Sequence, residues 1–419
     1  MNKKSQAFPS RFLWGAASAA HQVEGGLHNQ WSVWELENAK VNAVQAEHHI
    51  NDFPAWERIE SQAKDPNNYI SGSATNHAQR YEEDFDLLES MNMNAYRFSI
   101  EWSRIEPREG VWDAEAIAYY KKYIASLKKR GIEPILTLMH FTLPVWFAEK
   151  GGWEKRSNIR YFVRYAEHVM REIGGSVRYI VTINEPEVYG FCSYRIQEWP
   201  PQQSSTLKAF LVIYNQTVAH RKVVKVLKKI NSRYKIGIAK NSVYMYPGDS
   251  SWLSGVSASV MQYLQDDLWL SRVVSTSDFI GLNYYMSQRV LGYRIHNPEN
   301  ADYSDLNWKV SPEDIEFVLE RWHTKYKKPI LITENGIADN RDAFRKEWIE
   351  QTIRAMQRAM KRDVKILGYM HWSLTDNFEW AYGKWPRFGL AAVDYTTGTR
   401  TLRPSARWFG RVIKKIRGV

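Results

Sequence analysis

A single cysteine, Cys192, is all that 419 residues supply. One thiol excludes an internal disulfide and any multi-cysteine metal site, and it fits a reducing cytoplasm. Cys192 sits in GFCSY with no His or Asn beside it, so a buried or incidental thiol is expected there, not a nucleophile. Long apolar runs are missing too. No stretch reaches the ~20 residues of a membrane span, and MNKKSQAFPS has no apolar run before Pro9, so neither an anchor nor a signal peptide is read. Linkers rich in Pro, Gly or Ser, low-complexity tracts and repeats of fixed period are absent, which makes one domain over 1–419 the simplest organisation. The glycine-rich phosphate loop that usually follows the first strand of an open doubly wound sheet is also wanting, because GAASAAHQVEGG matches neither GxGxxG nor a P-loop.

What is present is an ordinary globular composition, 44% hydrophobic and 25% charged, with a net charge of +11. The basic residues are interleaved with acids or lie along amphipathic stretches such as LKKINSRYK and RAMQRAMKRD, and the densest run is the C-terminal RVIKKIRGV. These read as solvated helix faces, so no nucleic-acid partner is expected. The 18 Trp and 24 Tyr exceed the normal needs of a core this size, and aromatic faces stack well on sugar rings.

Eight short apolar runs read as strands: 12–18, 95–100, 133–140, 179–186, 235–241, 278–285, 328–336 and 366–373. Between them lie helical patterns such as YEEDFDLLESM, AIAYYKKYIASLKKR and WIEQTIRAMQRAMKR. Eight near-continuous apolar strands alternating with amphipathic helices predict an α/β fold, the (β/α)8 TIM barrel with long βα loops. Function in that fold sits at the C-terminal ends of the strands. Gln22 with Glu24, Arg97, His140, Asn184 with Glu185, Asn283 with Tyr285, Glu334 with Asn335, and Trp372 all fall at such ends.

Two of these ends carry glutamates, in TINEP (Glu185) and ITENG (Glu334), three strands apart around the barrel. Paired carboxylates across a cleft are what glycoside hydrolysis needs, one to protonate the leaving oxygen and one to stabilise or attack the anomeric carbon. The acid must keep its proton near neutral pH, and the nucleophile must stay ionised. Asn184, beside Glu185, is an amide suited to a sugar hydroxyl. Arg97 and Tyr285 are candidates to serve the ionised partner, and Asn283 shares a strand face with Tyr285.

The blocks FLWGAASAAHQVEG, AYRFSIEWSRIEP, TLMHFTLP, TINEP, DFIGLNYY, ITENG and GYMHWSLTDNFEWAYG, in this order, resemble the signatures of glycoside hydrolase family 1, the β-glucosidase and β-galactosidase family. The resemblance runs from about residue 8 to RPSARWF. It implies a retaining double displacement with Glu185 as acid/base and Glu334 as nucleophile, positioned by Arg97 and Tyr285. It also implies a sugar site of Gln22, His140, Asn184, Glu379 and Trp380 with Trp372 as a stacking platform, and Asn283 is counted with these substrate-binding residues. Family members that take 6-phosphorylated sugars lack the acid at the position of Glu379, and the thioglucosidase branch has Gln where Glu185 stands. The expected substrate is thus a neutral small-molecule or oligosaccharide β-glycoside, with no metal or cofactor and no membrane partner. The chain departs from the family pattern at Phe141 and Ile180, and in a shortened stretch from Lys240 to Asp278 and a glycine-poor loop after Pro186, both of which would frame the leaving-group side. A transglycosidase using the same intermediate, or a non-catalytic carbohydrate-binding barrel, would keep much of this pattern.

Overall fold

A computed structural model describes residues 8–419, so the stretch 1–7 on which the signal-peptide reading partly rests lies outside the described residues. All eight expected strands form: β1 (Leu13–Ala17), β2 (Ala95–Ser99), β3 (Glu133–Thr137), β4 (Tyr179–Asn184), β5 (Lys235–Asn241), β6 (Phe279–Tyr284), β7 (Ile330–Asn335) and β8 (Ile366–Trp372). They run parallel in sequence order, and β8 pairs with β1 to close the barrel. Eight helices follow them on the outside: α1 (His77–Ser90), α2 (Ala114–Lys129), α3 (Ile159–Ile173), α4 (Thr206–Ile230), α5 (Trp252–Gln262), α6 (Ile315–Tyr326), α7 (Arg345–Lys361) and α8 (Pro404–Arg417).

The alternation of strand side chains separates two apolar layers. Ala95, Ile135, Val181, Ala239, Phe279, Leu331 and Met370 point inward and fill the barrel. Tyr96, Leu136, Ile180, Ile236, Ile280, Ile330 and Tyr369 point outward and pack under the helices. Arg97, two residues beyond Ala95, therefore faces inward. The basic C-terminal run is one side of α8, where Ile413 is buried while Arg411, Lys414 and Lys415 face solvent. Among the described residues no helix is long and apolar enough to cross a membrane.

Among the elements not expected, two stand out. A helix from Gln30 to Ile50, capped by Asn29, rises from the loop after β1, and a small sheet of Tyr244–Pro247, Ser287–Leu291 and Arg294–Ile295 sits outside β5 and β6. The helix turns Ala39, Ala43 and Ala46 inward and leaves Leu36 66% and Val44 83% exposed. Its buried face has Trp31, Trp34 and Ile50 toward its ends and no apolar residue larger than alanine between them, so the middle of the helix lacks the apolar stripe by which helices are usually recognised.

Candidate active site

The strands bring the two glutamates to one rim by different local devices. Glu185 follows the last residue of β4 and begins the helix Pro186–Tyr194, with a left-handed φ of +40°. Phe141 (φ +71°) and Trp380 (φ +48°) adopt the same region, and all three line a single cleft. For non-glycine residues this conformation is costly, and it concentrates where side chains must be aimed at a common point. Glu334 lies within β7, where the pairing with β6 slips by one residue between Ile332 and Glu334. Such a bulge re-aims the residues beyond it. β4 carries a comparable irregularity against β5, between Val181 and Asn184. Gly336 then lets β7 pass close to β8, since a Cβ there would lie 1.9 Å from the carbonyl oxygen of Trp372.

Behind the rim, one polar network joins five strands. Arg97 is fully buried. Its Nε donates to Thr137 Oγ1 (3.1 Å), Nη2 to Asn184 Oδ1 (2.7 Å), and Nη1 to the Thr333 carbonyl and to Glu334 Oε1. Tyr285 Oη donates to the other Glu334 oxygen at 2.6 Å. Asn283 Nδ2 donates to Glu185 Oε1 (2.7 Å) and Asn184 Oδ1 (3.1 Å), while its own Oδ1 accepts from Thr333 Oγ1 (2.6 Å). Both amide ends of Asn283 are thus engaged by protein, as are those of Asn184, and the Asn283 side chain stands beside Glu185.

The two carboxyl groups meet opposite electrostatics. Glu334 has a cation on one oxygen and a phenol on the other. Glu185 has one amide donor, and its pKa is pushed well above the usual carboxylate range, first by burial and then by the negative charges of Glu334 and Glu187. Burial, then the neighbouring Arg97, holds His140 well below the ordinary histidine range, so its imidazole is neutral; Nε2 lies 3.3 Å from Asn184 Nδ2, and Nδ1 is buried without a protein partner. Glu379 is pushed up to about 7, chiefly by burial, against hydrogen bonds from Asn377 Nδ2 (2.9 Å) and Gln22 Nε2 (3.3 Å). Gln22 Oε1 is likewise buried and unpaired.

These groups border a cleft of roughly 250 Å3. Glu185, Glu334, His140, Glu379, Trp372 and Trp380 all line it, as does Tyr285. The rings of Trp372 and Trp380 lie within 14° and 11° of the His140 plane, at 5.8 and 6.1 Å. Gln22, Asn184 and Arg97 stand immediately behind this surface. Two residues expected at the rim turn away. Glu24 accepts from Tyr120 Oη (2.8 Å) and pairs with Arg104 on the far side of its loop. Asn335 faces outward between β7 and α7, where it donates to the Tyr284 carbonyl (2.7 Å) and accepts from Trp348 Nε1 (2.9 Å).

The outer part of the cleft contains residues that sequence reasoning did not select: Val188, Glu198, Trp199, Met286, Trp308 and Phe388. They come from the loops after β4, β6 and β8, and nothing in their local patterns distinguishes them from ordinary loop residues. Cys192 also borders the cleft, half-buried, with its thiol pKa raised by burial. Phe141 lines the cleft, and Ile180 is packed in the outer core. Of the 18 tryptophans, Trp14, Trp31, Trp102, Trp153, Trp322, Trp348 and Trp385 are fully buried, and Trp199, Trp308, Trp372 and Trp380 reach the cleft.

The sequence matches the family model for glycosyl hydrolase family 1 over residues 4–275 and 257–417. It is 29% identical to β-glucosidase A of Thermotoga maritima over 99% of both chains. It is 31% identical to the galactolipid galactosyltransferase SFR2, chloroplastic, of Arabidopsis thaliana over 80% of this chain and 57% of that protein. Among solved structures, a β-glycosidase from Pyrococcus horikoshii superposes with a TM-score of 0.85 at 32% identity, covering 98% of this chain and 95% of that one.

Proposed function

The chain belongs to glycosyl hydrolase family 1 and is a β-glucosidase-like hydrolase; from that premise we propose that Glu185 and Glu334 carry out a retaining double displacement on a terminal, unphosphorylated β-glycoside. One observation carries the reading: two buried glutamates share a cleft, and one has a cation and a phenol donor on its two oxygens while the other has a single amide donor, with its pKa pushed upward by burial and by its negative neighbours.

In the first step a Glu334 oxygen attacks the anomeric carbon. The bond to the leaving oxygen breaks, and that oxygen takes the Glu185 proton. In the second step Glu185, now ionised, removes a proton from water, and the water oxygen displaces Glu334 from the sugar. Inversion twice returns the β configuration. Arg97 and Tyr285 hold Glu334 at a fixed orientation, and Asn283 does the same for Glu185. Two carboxyl groups and water complete the proton balance, so the scheme calls for no metal or organic cofactor.

Sugar recognition falls to Gln22, His140, Asn184, Glu379 and Trp380 over the Trp372 ring. Gln22 Oε1 and His140 Nδ1 are buried polar atoms that a sugar hydroxyl would satisfy, which supports this assignment. Glu379 would repel a phosphate on the sugar. Galactosides and fucosides fit the reading as well as glucosides. The single cysteine suits a cytoplasmic location.

The test is the anomeric form of the first product, followed by proton NMR during hydrolysis of an aryl β-glucoside. Retention is expected, with the carboxyl groups roughly 5 Å apart. An α product would overturn the mechanism. A second reading, transfer of the glycosyl group to an acceptor other than water, is favoured by the similarity to a galactosyltransferase and by the aromatic outer cleft. Product analysis with added alcohol or sugar acceptors separates the two.

A further inference from the structure

The shortened connection between β5 and β6 carries α5, and α5 has a bare apolar face. Trp252 is 79% exposed, Leu253 46%, Val256 39%, Val260 50%, and Tyr263 and Leu264 in the π-helical turn that continues it 50% and 48%. The inward face is Ser254, Ala258 and Gln262. No charged residue occurs from Ser250 to Gln265. At the helix N-terminus the backbone N–H of Gly292 donates to Ser254 Oγ (2.8 Å), which sets Tyr293 (65% exposed) and Ile295 (47%) beside the same stripe.

We propose that this face is a two-fold interface with a second copy of this chain, in which the two α5 helices pack antiparallel. Three features point to that occupant. Leu253, Val256, Val260 and Tyr263 are spaced three, four and three apart, the seam by which one helix receives another. The stripe is also symmetric about Ala258, since Trp252 and Leu264, Leu253 and Tyr263, and Val256 and Val260 are each equidistant from it. An antiparallel two-fold pairing places each member of such a pair against its counterpart on the other copy, as an isologous contact requires. Finally, three aromatic and five aliphatic side chains at these exposures offer an area on the order of the ~800 Å2 that each partner buries in a stable dimer. Helices that lie on membranes carry Lys and Arg along their polar face, and α5 has none.

Sedimentation of the full chain across the micromolar range, with and without Val260→Lys, tests the proposal. The wild type should be dimeric. Val260→Lys places two lysines against the two Val256 side chains and should weaken the dimer on the order of 100-fold. Aryl β-glucoside hydrolysis and the melting temperature should be unchanged. Adding Val256→Glu to Val260→Lys should restore the dimer, because only the antiparallel register sets the new acid of one copy against the new base of the other. A wild type that stays monomeric, a dimer indifferent to Val260→Lys, or a monomer that co-sediments with phosphatidylserine vesicles would each overturn it.

Discussion

Glu334 and Glu185 stand on strands three apart around one cleft, are buried to similar degrees, and differ in almost everything around them. β7 delivers Glu334 into a pocket where a fully buried guanidinium and a phenol each occupy one of its oxygens. β4 delivers Glu185 onto a left-handed turn with one amide for company, against the field of two other carboxylates. The lesson is that the roles of two chemically identical side chains are set by which strand supplies donors. Arg97 hydrogen-bonds Glu334 directly and is linked to the Glu185 side through the side-chain oxygen Oδ1 of Asn184, which also accepts from Asn283.

Removing the reacting atom breaks that comparison most severely. Glu334→Ala should lower kcat by about 10^4-fold or more, read with an aryl β-glucoside. Azide should restore part of the turnover and give the α-glycosyl azide, since a small anion can fill the space the carboxylate left. Glu185→Gln should cost about 10^2 to 10^4-fold. That loss should be larger for alkyl than for nitrophenyl leaving groups, because only the former depend on the proton. A uniform loss over both would remove Glu185 from the acid position.

The next change tests whether the asymmetry is electrostatic. Arg97→Met leaves Glu334 buried beside Tyr285 alone. Breaking a buried ion pair from one side costs about 3–5 kcal/mol, so denaturant unfolding should show a loss of that size together with a fall in kcat. Arg97→Lys keeps the charge but cannot reach Thr137, Asn184 and Glu334 together, and should recover only part of either.

The smallest change sharpens the comparison instead of breaking it. In the proposed mechanism activity requires protonated Glu185, so it should be present below the raised pKa of that group and be lost as pH climbs through it. Asn283 donates to the charged form and lowers that pKa. Asn283→Ala should therefore move the alkaline limb of kcat/KM upward. A downward shift would mean that the amide supports the neutral acid.

Much of this site was legible before folding, for a definite reason. A parallel barrel buries both faces of each strand, so its strands stand out as apolar runs, and a Glu, Arg or His at the end of such a run is conspicuous. Arg97, His140, Glu185, Tyr285, Glu334 and Trp372 were visible in that way. Glu24 and Asn335 satisfied the same rule and yet serve the scaffold, because position at a strand end does not say which way a side chain turns. The register slip ahead of Glu334 shows why: one extra residue in β7 aims Glu334 into the barrel and Asn335 toward α7. Glu198, Met286, Trp308 and Phe388 were invisible for the opposite reason, since loops have no period from which to depart.

By itself, then, the sequence determined the eight strands, their order, the rim that would carry chemistry and the two glutamates on it, all of which follow from hydrophobic periodicity and chain connectivity. The tertiary structure alone decided how the glutamates differ. Their protonation and orientation depend on Arg97, Tyr285, Asn283 and Thr333, which are distant in the chain and meet only when the barrel closes. Charge and hydrogen bonding act through space, over a few ångströms, and the order of residues along a chain does not encode those distances.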